Sequence, residues 1–353
     1  MLPKPNSERL KDFLNTLLAI DSPSGDTEEM ECFMQSTLQP YGLRVNKTAR
    51  GNIQAIIGEG QPKRAIAAHI DTLGAMVQSI LPNGRLELVP LGHWSSRFAE
   101  GARVTLKTDS GAIRGTILPK HSSGHAYNKQ IDTQPVAWSQ VELRLDVKTS
   151  SKEETCELGV RPGDIVTIDP QPEFTENGFL VSRFLDNKAA VACTLELLEI
   201  IQANALNIQT PVMLVFTNAE EVGLGAGTAL VDSVEELVSV DIAPVAANQN
   251  GREDRAVIGF KDELGPHNRN LLKQLDQLAQ RHGIAADRDV FRFYHSDCSS
   301  ALRAGHDLRS ALLGFGTDST HGYERTHIDS LVAVTQLLTA YVLSDFKAVK
   351  SFK

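Results

Sequence analysis

Two adjacent glutamates, Glu220 and Glu221, close the apolar run 212–216 and are followed at once by the glycine-rich stretch 223–227. The apolar run is typical of a buried strand, so the pair falls at a strand's carboxyl end, where α/β enzymes commonly place their sites. At such a place one carboxylate can hold a metal ion while the other moves a proton. Acidic doublets more often lie on solvated faces, so this interpretation needs support from other segments.

His69 gives such support, because it follows the apolar run 65–68 and also falls where a strand is predicted to end. Asp71, two residues later, could fix the tautomer of a metal-bound imidazole. Asp186 lies between the run 181–185 and a helical pattern. Taken alone, an aspartate at this place is more often the N-cap of the helix than a metal ligand.

Asp241 and His321 complete the set of candidate ligands. Asp241 ends the run 237–240, and His321 lies in the polar loop 317–322. The carboxyl ends of parallel strands meet at one crevice of an open α/β sheet, so these residues can meet although they are distant in sequence. Two histidines, three carboxylates and no cysteine form a set that suits two zinc or cobalt ions.

The elements that must position these residues follow an α/β pattern with one interruption. Helical patterns cover 7–20 and 26–38, with caps expected at Ser7 and Asp26, and strand patterns cover 52–57 and 64–69. Short β runs then follow at 85–89, 103–107, 112–118, 141–147 and 165–168. The α/β pattern resumes with helices over 187–203, 268–282 and 331–345 and strands over 211–217 and 237–241. We therefore predict a catalytic α/β domain of residues 1–75 and 180–353, and a mainly β inserted domain of residues 76–179.

Several segments together make the chain resemble the co-catalytic metallopeptidase family of tetrahedral and glutamyl aminopeptidases, which includes proteins labelled cellulase M. They are Ala68-His69-Ile70-Asp71, Phe184-Leu185-Asp186-Asn187-Lys188, Asn218-Ala219-Glu220-Glu221-Val222-Gly223, Val240-Asp241-Ile242 and Thr320-His321, with accessory matches over 91–94 and 158–164. The segments occur in the family's order and span roughly residues 10–343. The resemblance implies a three-layer αβα metallopeptidase domain that carries a β insertion.

The resemblance also implies a role for each residue. Asp186 would bridge two metal ions, His69 and Asp241 would complete one site, and Glu221 and His321 would complete the other. Glu220 would be the general base, Asp71 would orient His69, and the peptide bond between Asp186 and Asn187 would be cis. On this interpretation the protein is an aminopeptidase that removes N-terminal residues from peptides through a metal-activated water.

The last segment departs from the family pattern, in which the histidine is followed by Ser or Thr, then Pro, and shortly by Glu. Here Gly322, Tyr323 and Glu324 follow His321, and His327 is a rival ligand. We favour His321, because Thr320 precedes it as in the family. This variant resembles a subgroup found beside genes for the osmolyte N-acetylglutaminylglutamine amide.

Asp297 stands where the family usually carries Gly-Thr-Asp-Ala near the active site. It is a candidate to support the metal ligands or the substrate pocket. An equally weighted interpretation makes it the N-cap of a helix over 299–304.

Two other functions remain open from the residues themselves. One is an amidohydrolase or deacylase that uses the same metals on a small blocked dipeptide or osmolyte amide. The other is a catalytically silent oligomeric scaffold, which an intact general base at Glu220 disfavours. A cellulase is least favoured, because glycosidases need carboxylates that are free for acid and base work.

Composition favours a globular enzyme. The 353 residues carry a formal net charge of -9 and contain no long basic run, so nucleic acid and membrane surfaces are disfavoured as partners. The four cysteines form no CxxC pair and indicate reduced thiols in a cytoplasmic protein. The family resemblance implies a closed homo-oligomer, a dodecamer or otherwise a dimer. We expect its contacts to involve the insertion, whose strand edges would need covering.

Overall fold

The computed structural model describes residues 2–346. Its helices are α1 (Ser7–Leu18), α2 (Glu28–Leu38), α3 (Gly124–Tyr127), α4 (Gln130–Thr133), α5 (Lys152–Glu157), α6 (Leu185–Ala203), α7 (Arg269–His282), α8 (Asp297–Arg303) and α9 (Ile328–Leu343). None of the helices within residues 2–346 combines the length and the apolar character needed to cross a membrane.

The strands alternate with these helices at both ends of the chain and follow one another in its middle. They are β1 (Arg44–Lys47), β2 (Ile53–Ile57), β3 (Arg64–His69), β4 (Gly74–Ile80), β5 (Leu86–Leu91), β6 (Arg103–Thr108), β7 (Gly111–Pro119), β8 (Val141–Leu145), β9 (Ile165–Ile168), β10 (Glu173–Phe174), β11 (Phe179–Ser182), β12 (Val212–Thr217), β13 (Glu236–Pro244), β14 (Ala256–Gly259), β15 (Ala286–Asp289), β16 (Arg309–Thr317) and β17 (Glu324–His327).

An eight-stranded sheet in the order β1-β2-β12-β3-β13-β16-β14-β15 forms the centre of the fold. Its four middle strands, β12, β3, β13 and β16, are parallel to one another. β3 and β12 are buried along their whole length, as expected for continuous apolar runs in a parallel sheet. Their carboxyl ends therefore lie together at one edge.

Helices cover both faces of this sheet. Successive side chains of β3 point alternately to the two faces and pack against different helices. Ile66 and Ala68 join the apolar core formed with α1, α6 and α9. Ala65 and Ala67 point to the opposite face and pack with Cys298 of α8. Because successive strand residues face opposite sides, this arrangement requires helical layers on both faces. The predicted three-layer αβα fold is confirmed.

A closed six-stranded barrel in the order β4-β5-β8-β7-β6-β9 occupies the middle of the chain. Residues such as Val104, Leu106 and Ile117 point into its own apolar core. Ala75 of β4 pairs with Val166 of β9 and closes the barrel. Closure pairs the strand edges within the barrel, which is one of the ways in which such edges can be protected, so the edges give no argument for or against subunit contacts.

A small antiparallel sheet, β10-β11-β17, joins two segments that are distant in sequence. Ser182 of β11 lies opposite Glu324 of β17, and Phe179 lies opposite His327. The sheet therefore ties the chain just before Asp186 to the chain just after His321. The sequence patterns predicted neither β10 nor β17.

The other differences from the predicted elements lie mainly at their ends. The cap of α1 is Asn6 and not Ser7, because the Asn6 side chain accepts hydrogen bonds from two amides of the first turn. Asp26 does not cap α2 and instead pairs with Lys107 of the barrel, at 2.8 Å. β1 and β15 were not predicted, since these short strands at the two sheet edges carry a weak apolar pattern. β4, β14 and β16 were not predicted either, although most of their residues are buried.

Candidate active site

The candidate residues meet at the carboxyl edge of the parallel strands. His69 ends β3 and lies opposite Thr217, which ends β12 and leads into the loop carrying Glu220 and Glu221. Asp241 lies in β13, and His321 follows β16 in a loop. Asp186 reaches the same place from the start of α6.

The Asp186 carboxylate lies between the two histidines. Its Oδ1 is 3.0 Å from His69 Nε2, and its Oδ2 is 3.2 Å from His321 Nε2. Glu221 Oε2 is 3.6 Å from the same His321 nitrogen. One ligand atom each from His69, Asp186 and Glu221 lie within 4.8 Å of one another, close enough to belong to one metal centre. Asp186 thus turns one oxygen to each imidazole, as a bridging ligand would.

Local backbone geometry at the start of α6 holds Asp186 in this position. The Asp186–Asn187 peptide bond is cis, and both residues depart from helical angles. Asn187 Nδ2 donates to the Val240 carbonyl at 2.8 Å, which fixes this turn beside Asp241. The Asp186 carboxylate contacts both His69 and His321, so the residue has contacts beyond those of a simple N-cap.

The Asp71 carboxylate holds the loop of the acidic pair. Its Oδ1 accepts the Glu220 amide at 3.0 Å, and its Oδ2 accepts the Glu221 amide at 3.3 Å. His69 Nδ1 lies 2.9 Å from the Asp71 backbone oxygen and 3.6 Å from its Oδ1. The backbone of Asp71 therefore orients His69, and its side chain orients the two glutamates.

Asp297 ties together both ends of the same loop. Thr217 Oγ1 donates to Asp297 Oδ2 at 2.6 Å, and the Ala226 amide donates to Oδ1 at 2.7 Å. Helix α8 begins at Asp297, with Ser296 in the cap position. The alternative interpretation of Asp297 as an N-cap is therefore wrong, and its side chain supports the loop of the acidic pair.

The two rival histidines lie in different surroundings. His321 Nδ1 donates to the His93 carbonyl at 2.8 Å, which points Nε2 toward Asp186. His327 Nε2 contacts the Asn177 carbonyl at 2.9 Å, and its ring packs edge-on against Phe179. His327 Nδ1 accepts the amide of residue 329 at the start of α9. The structure therefore brings His321, and not His327, to the carboxylate cluster.

Burial dominates the electrostatics of the carboxylates. It raises the pKa of Glu220 and Asp241 well above the usual range, and the pKa of Glu221 to about 8. Burial acts on Asp186 in the same sense, but hydrogen bonds with His321 and His69 hold the pKa of Asp186 below its usual range. Burial would lower the pKa of both imidazoles, yet the surrounding carboxylates outweigh it and raise them.

Comparison with known proteins identifies the relationship. A profile of the M42 glutamyl aminopeptidases matches residues 51–337. The chain belongs to this family. An M42 chain is a peptidase, so the predicted enzyme class is confirmed. A relative described as the putative aminopeptidase YhfE of Bacillus subtilis is 34% identical over 336 residues, which cover 94% of this chain and 97% of the relative. The glutamyl aminopeptidase of Lactococcus lactis is 27% identical, over 69% of this chain and 70% of its own.

Solved structures show the same fold as this M42 chain. The TET aminopeptidase from a marine sediment thaumarchaeon superposes with a TM-score of 0.85 at 20% identity, covering 95% of this chain and 96% of its own. The Pyrococcus horikoshii TET1 peptidase superposes with a TM-score of 0.83 at 21% identity, covering 94% and 99%. That peptidase is described as assembling into a tetrahedron or a large octahedral shell.

The residues of this M42 chain fit divalent cations. Asp186, Glu220, Glu221 and Asp241 are buried together beside the imidazoles of His69 and His321. Burying several carboxylates without cations is costly. Glu221 Oε1 is buried and has no hydrogen-bond partner within residues 2–346. A buried oxygen of this kind is expected where a carboxylate binds a cation.

The sequence analysis did not identify two residues that contribute to the site, Glu324 and Tyr294. Glu324 is buried and accepts the Asp186 amide at 3.0 Å. Its place shortly after His321 in the family pattern was the available signal. Tyr294 lies beside Asp241, and burial followed by the Asp241 charge raises the pKa of its phenol. No pattern in the sequence pointed to Tyr294.

Proposed function

We propose that this M42 peptidase is an aminopeptidase that uses two divalent metal ions, zinc or cobalt. Asp186 would bridge them, with His69 and Asp241 on one side and Glu221 and His321 on the other. The observation that carries this proposal is the Asp186 carboxylate, each of whose oxygens faces a different imidazole. Carboxylate and imidazole ligands without cysteine suit such a pair.

Glu220 is the proposed general base. When bound, the ions would supply an acidified water and polarise the scissile carbonyl. The Glu220 carboxylate, 3.9 Å from His69 Nε2, accepts the proton of the water and returns it to the leaving amine. The raised pKa of Glu220, caused first by burial, makes it a stronger base than an exposed glutamate. Asp71 and Asp297 hold the loop that positions it.

The substrate class is tested by whether a free amino terminus is needed. Metal content would be measured first, followed by hydrolysis of aminoacyl amides and their N-acetylated counterparts by the zinc-loaded and cobalt-loaded protein. We expect hydrolysis of the free forms only, with about two ions per chain. Hydrolysis of the blocked forms instead, including N-acetylglutaminylglutamine amide, would replace the aminopeptidase with a deacylase of osmolyte metabolism. Two bound ions with no hydrolysis of either series would favour a silent scaffold.

We also propose that the chain forms a closed homo-oligomer, a dodecamer or otherwise a dimer, in the cytoplasm. TET peptidases of the same fold, including one described as a dodecamer, support this proposal. All four cysteines are free, as expected in a reducing compartment. The barrel, proposed as an inserted domain of residues 76–179, would provide subunit contacts and shape substrate access, since Trp94 and Ile168 line a cavity that reaches Asp186 and His321.

A further inference from the structure

Tyr294 is held rigidly next to the candidate metal centre. Its ring packs edge-on against Phe291, with 5.4 Å between the ring centroids. Its backbone oxygen accepts the Glu263 amide at 2.8 Å. Asp297, whose carboxylate supports the loop of the acidic pair, follows three residues later. The Glu263 amide therefore holds the backbone of Tyr294, and Phe291 holds its ring. The hydroxyl lies on the side of the Asp241 and Glu220 carboxylates.

The Tyr294 hydroxyl is a buried donor without an acceptor. Its oxygen is closed to solvent and has no hydrogen-bond partner within residues 2–346. Tyr294 packs against the apolar cluster that contains Ala243, and Ala243 lies on the same face of β13 as Asp241. The Asp241 charge also acts on the phenol. Buried hydroxyls in folded proteins almost always find a partner, because leaving one unpaired is costly. In the ionised form that binds a cation, the neighbouring carboxylates can only accept, so the phenol is the complementary donor.

Within the described residues, the Asp241 carboxylate has fewer contacts that hold it in place than the Asp186 carboxylate has. Asp241 Oδ1 accepts the amide of Ile242, the next residue, at 2.7 Å. Asp186, by comparison, contacts both imidazoles and is fixed through its own amide by Glu324. A carboxylate that binds a metal through one oxygen needs a second contact to set its orientation.

We propose that the Tyr294 hydroxyl donates a hydrogen bond to the Asp241 carboxylate and so orients this ligand toward its metal ion. Tyr294 is then a positioning residue, which rests on the proposed two-metal function. A direct contact with substrate is disfavoured, because the hydroxyl oxygen is closed to solvent. The contact would make the metal site built on His69 and Asp241 depend on the phenol, whereas the site built on Glu221 and His321 would not.

The test compares two buried tyrosines. Tyr294→Phe removes the hydroxyl beside Asp241, and the control Tyr341→Phe removes one that donates to Glu236 at 3.1 Å in another part of the core. The full-length proteins would be stripped of metal, and stepwise zinc affinities would be measured by competition with a chromophoric chelator. We expect Tyr294→Phe to weaken one of the two sites by about ten- to a hundredfold and Tyr341→Phe to weaken neither.

A double-mutant cycle with Asp241→Asn gives the second measurement. If Tyr294 acts through Asp241, Tyr294→Phe should cause no further loss of zinc affinity in the Asp241→Asn protein. The visible spectrum of the cobalt form should change in Tyr294→Phe and stay unchanged in Tyr341→Phe.

Three outcomes would overturn the inference: equal zinc affinities for wild type and Tyr294→Phe, additive losses in the cycle, or a Tyr294→Phe protein that is unfolded even without metal. The last result would make the hydroxyl a structural group. Failure of the proposed function would look different, since wild type itself would then bind fewer than two ions or hydrolyse no aminoacyl amide. Two ions bound by an active wild type, and equally by Tyr294→Phe, would defeat this inference alone.

Discussion

The backbone amide of Asp186 donates a hydrogen bond to the Glu324 carboxylate over 3.0 Å. Asp186 begins the segment after β11, and Glu324 begins β17, which pairs with β11 in the small sheet. Glu324 also follows His321 by three residues. Glu324, which holds the backbone of the proposed bridging ligand Asp186, therefore belongs to the same segment as His321.

Replacing Glu324 should separate its charge from its role as an acceptor. Glu324→Gln keeps an oxygen that can accept the Asp186 amide, so we expect metal affinity close to wild type. Glu324→Ala leaves this buried amide unpaired and should weaken metal binding by about ten- to a hundredfold. Chelator competition on both variants is the measurement. Equal affinities for Glu324→Ala and wild type would show that the hydrogen bond does not position Asp186.

The two members of the acidic pair should fail in different ways. Glu220→Gln preserves shape and leaves the five proposed ligands intact, so turnover should fall by about a hundredfold or more while metal content stays near wild type. Glu221→Gln should lose metal instead. Metal analysis and steady-state kinetics on both variants distinguish them. Full activity in Glu220→Gln would rule out the assigned base.

Replacing each histidine tests which one is a ligand. His321→Ala should lower the occupancy of one metal site, because an imidazole that faces Asp186 and Glu221 is removed. His327→Ala should retain both ions, since its ring contacts Asn177 and Phe179. Metal content by elemental analysis checks both variants, and the reverse result would move the site to His327.

The metal-free protein should lose stability as the pH rises from about 5 to 8. Burial raises the pKa of Glu221 from its ordinary 4.5 to about 8, so over this range the folded chain holds more protons than the unfolded chain. Raising the pH therefore favours unfolding. The raised pKa of His69 and His321 acts in the same direction, because their stabilising protonated forms are lost as the pH rises.

Melting temperatures in the presence of a chelator, measured from pH 5 to 8.5, check this dependence. Zinc should reduce the decline, because the cations then balance the ionised carboxylates. Glu221→Gln should show a shallower decline than wild type without metal. A melting temperature that rises over this range without metal would contradict the electrostatic description of the site.

Assembly can be measured without reference to catalysis. We expect light scattering to give a single species of twelve, or otherwise two, times the mass of one chain, unchanged over a hundredfold dilution. Substitutions on the outer face of the barrel should break it into smaller species. A monodisperse monomer that hydrolyses small peptides would refute the assembly proposal and leave the metal site untouched.

Three of the four parallel middle strands, β3, β12 and β13, were predicted because burial on both faces selects continuous apolar runs, and β16 was not predicted. β3 was predicted at its observed ends, and the observed β12 starts one residue later than predicted. The same pattern placed His69 and the acidic pair at strand ends. The short strand β17 was not predictable, since it pairs with β11 across about 150 residues of sequence. β10 pairs with the nearby β11, but two residues are too few to show a strand pattern.

Side-chain roles were less predictable than side-chain positions. The meeting of the five proposed ligands could be predicted from their places near the ends of strands. The separate roles of the Asp71 backbone, which contacts His69, and of its side chain, which accepts the Glu220 and Glu221 amides, required the structure. The position of Tyr294 required the structure as well, because nothing in its neighbouring residues relates it to Asp241. Hydrogen-bond partners depend on backbone direction at a single residue, which periodicity does not encode.

The barrel begins with β4, five residues after His69, and ends with β9, before Asp186. The chain therefore leaves the site, forms one closed barrel and then returns to the site. A closed barrel carries its own core and exchanges few strand contacts with the sheet. Its outer surface can therefore diverge without displacing the ligands. Relatives that share one reaction centre can in this way differ in how their subunits assemble and in how wide the access to the site is. Changes on the outer surface of the barrel are then selected separately from changes at the ligands.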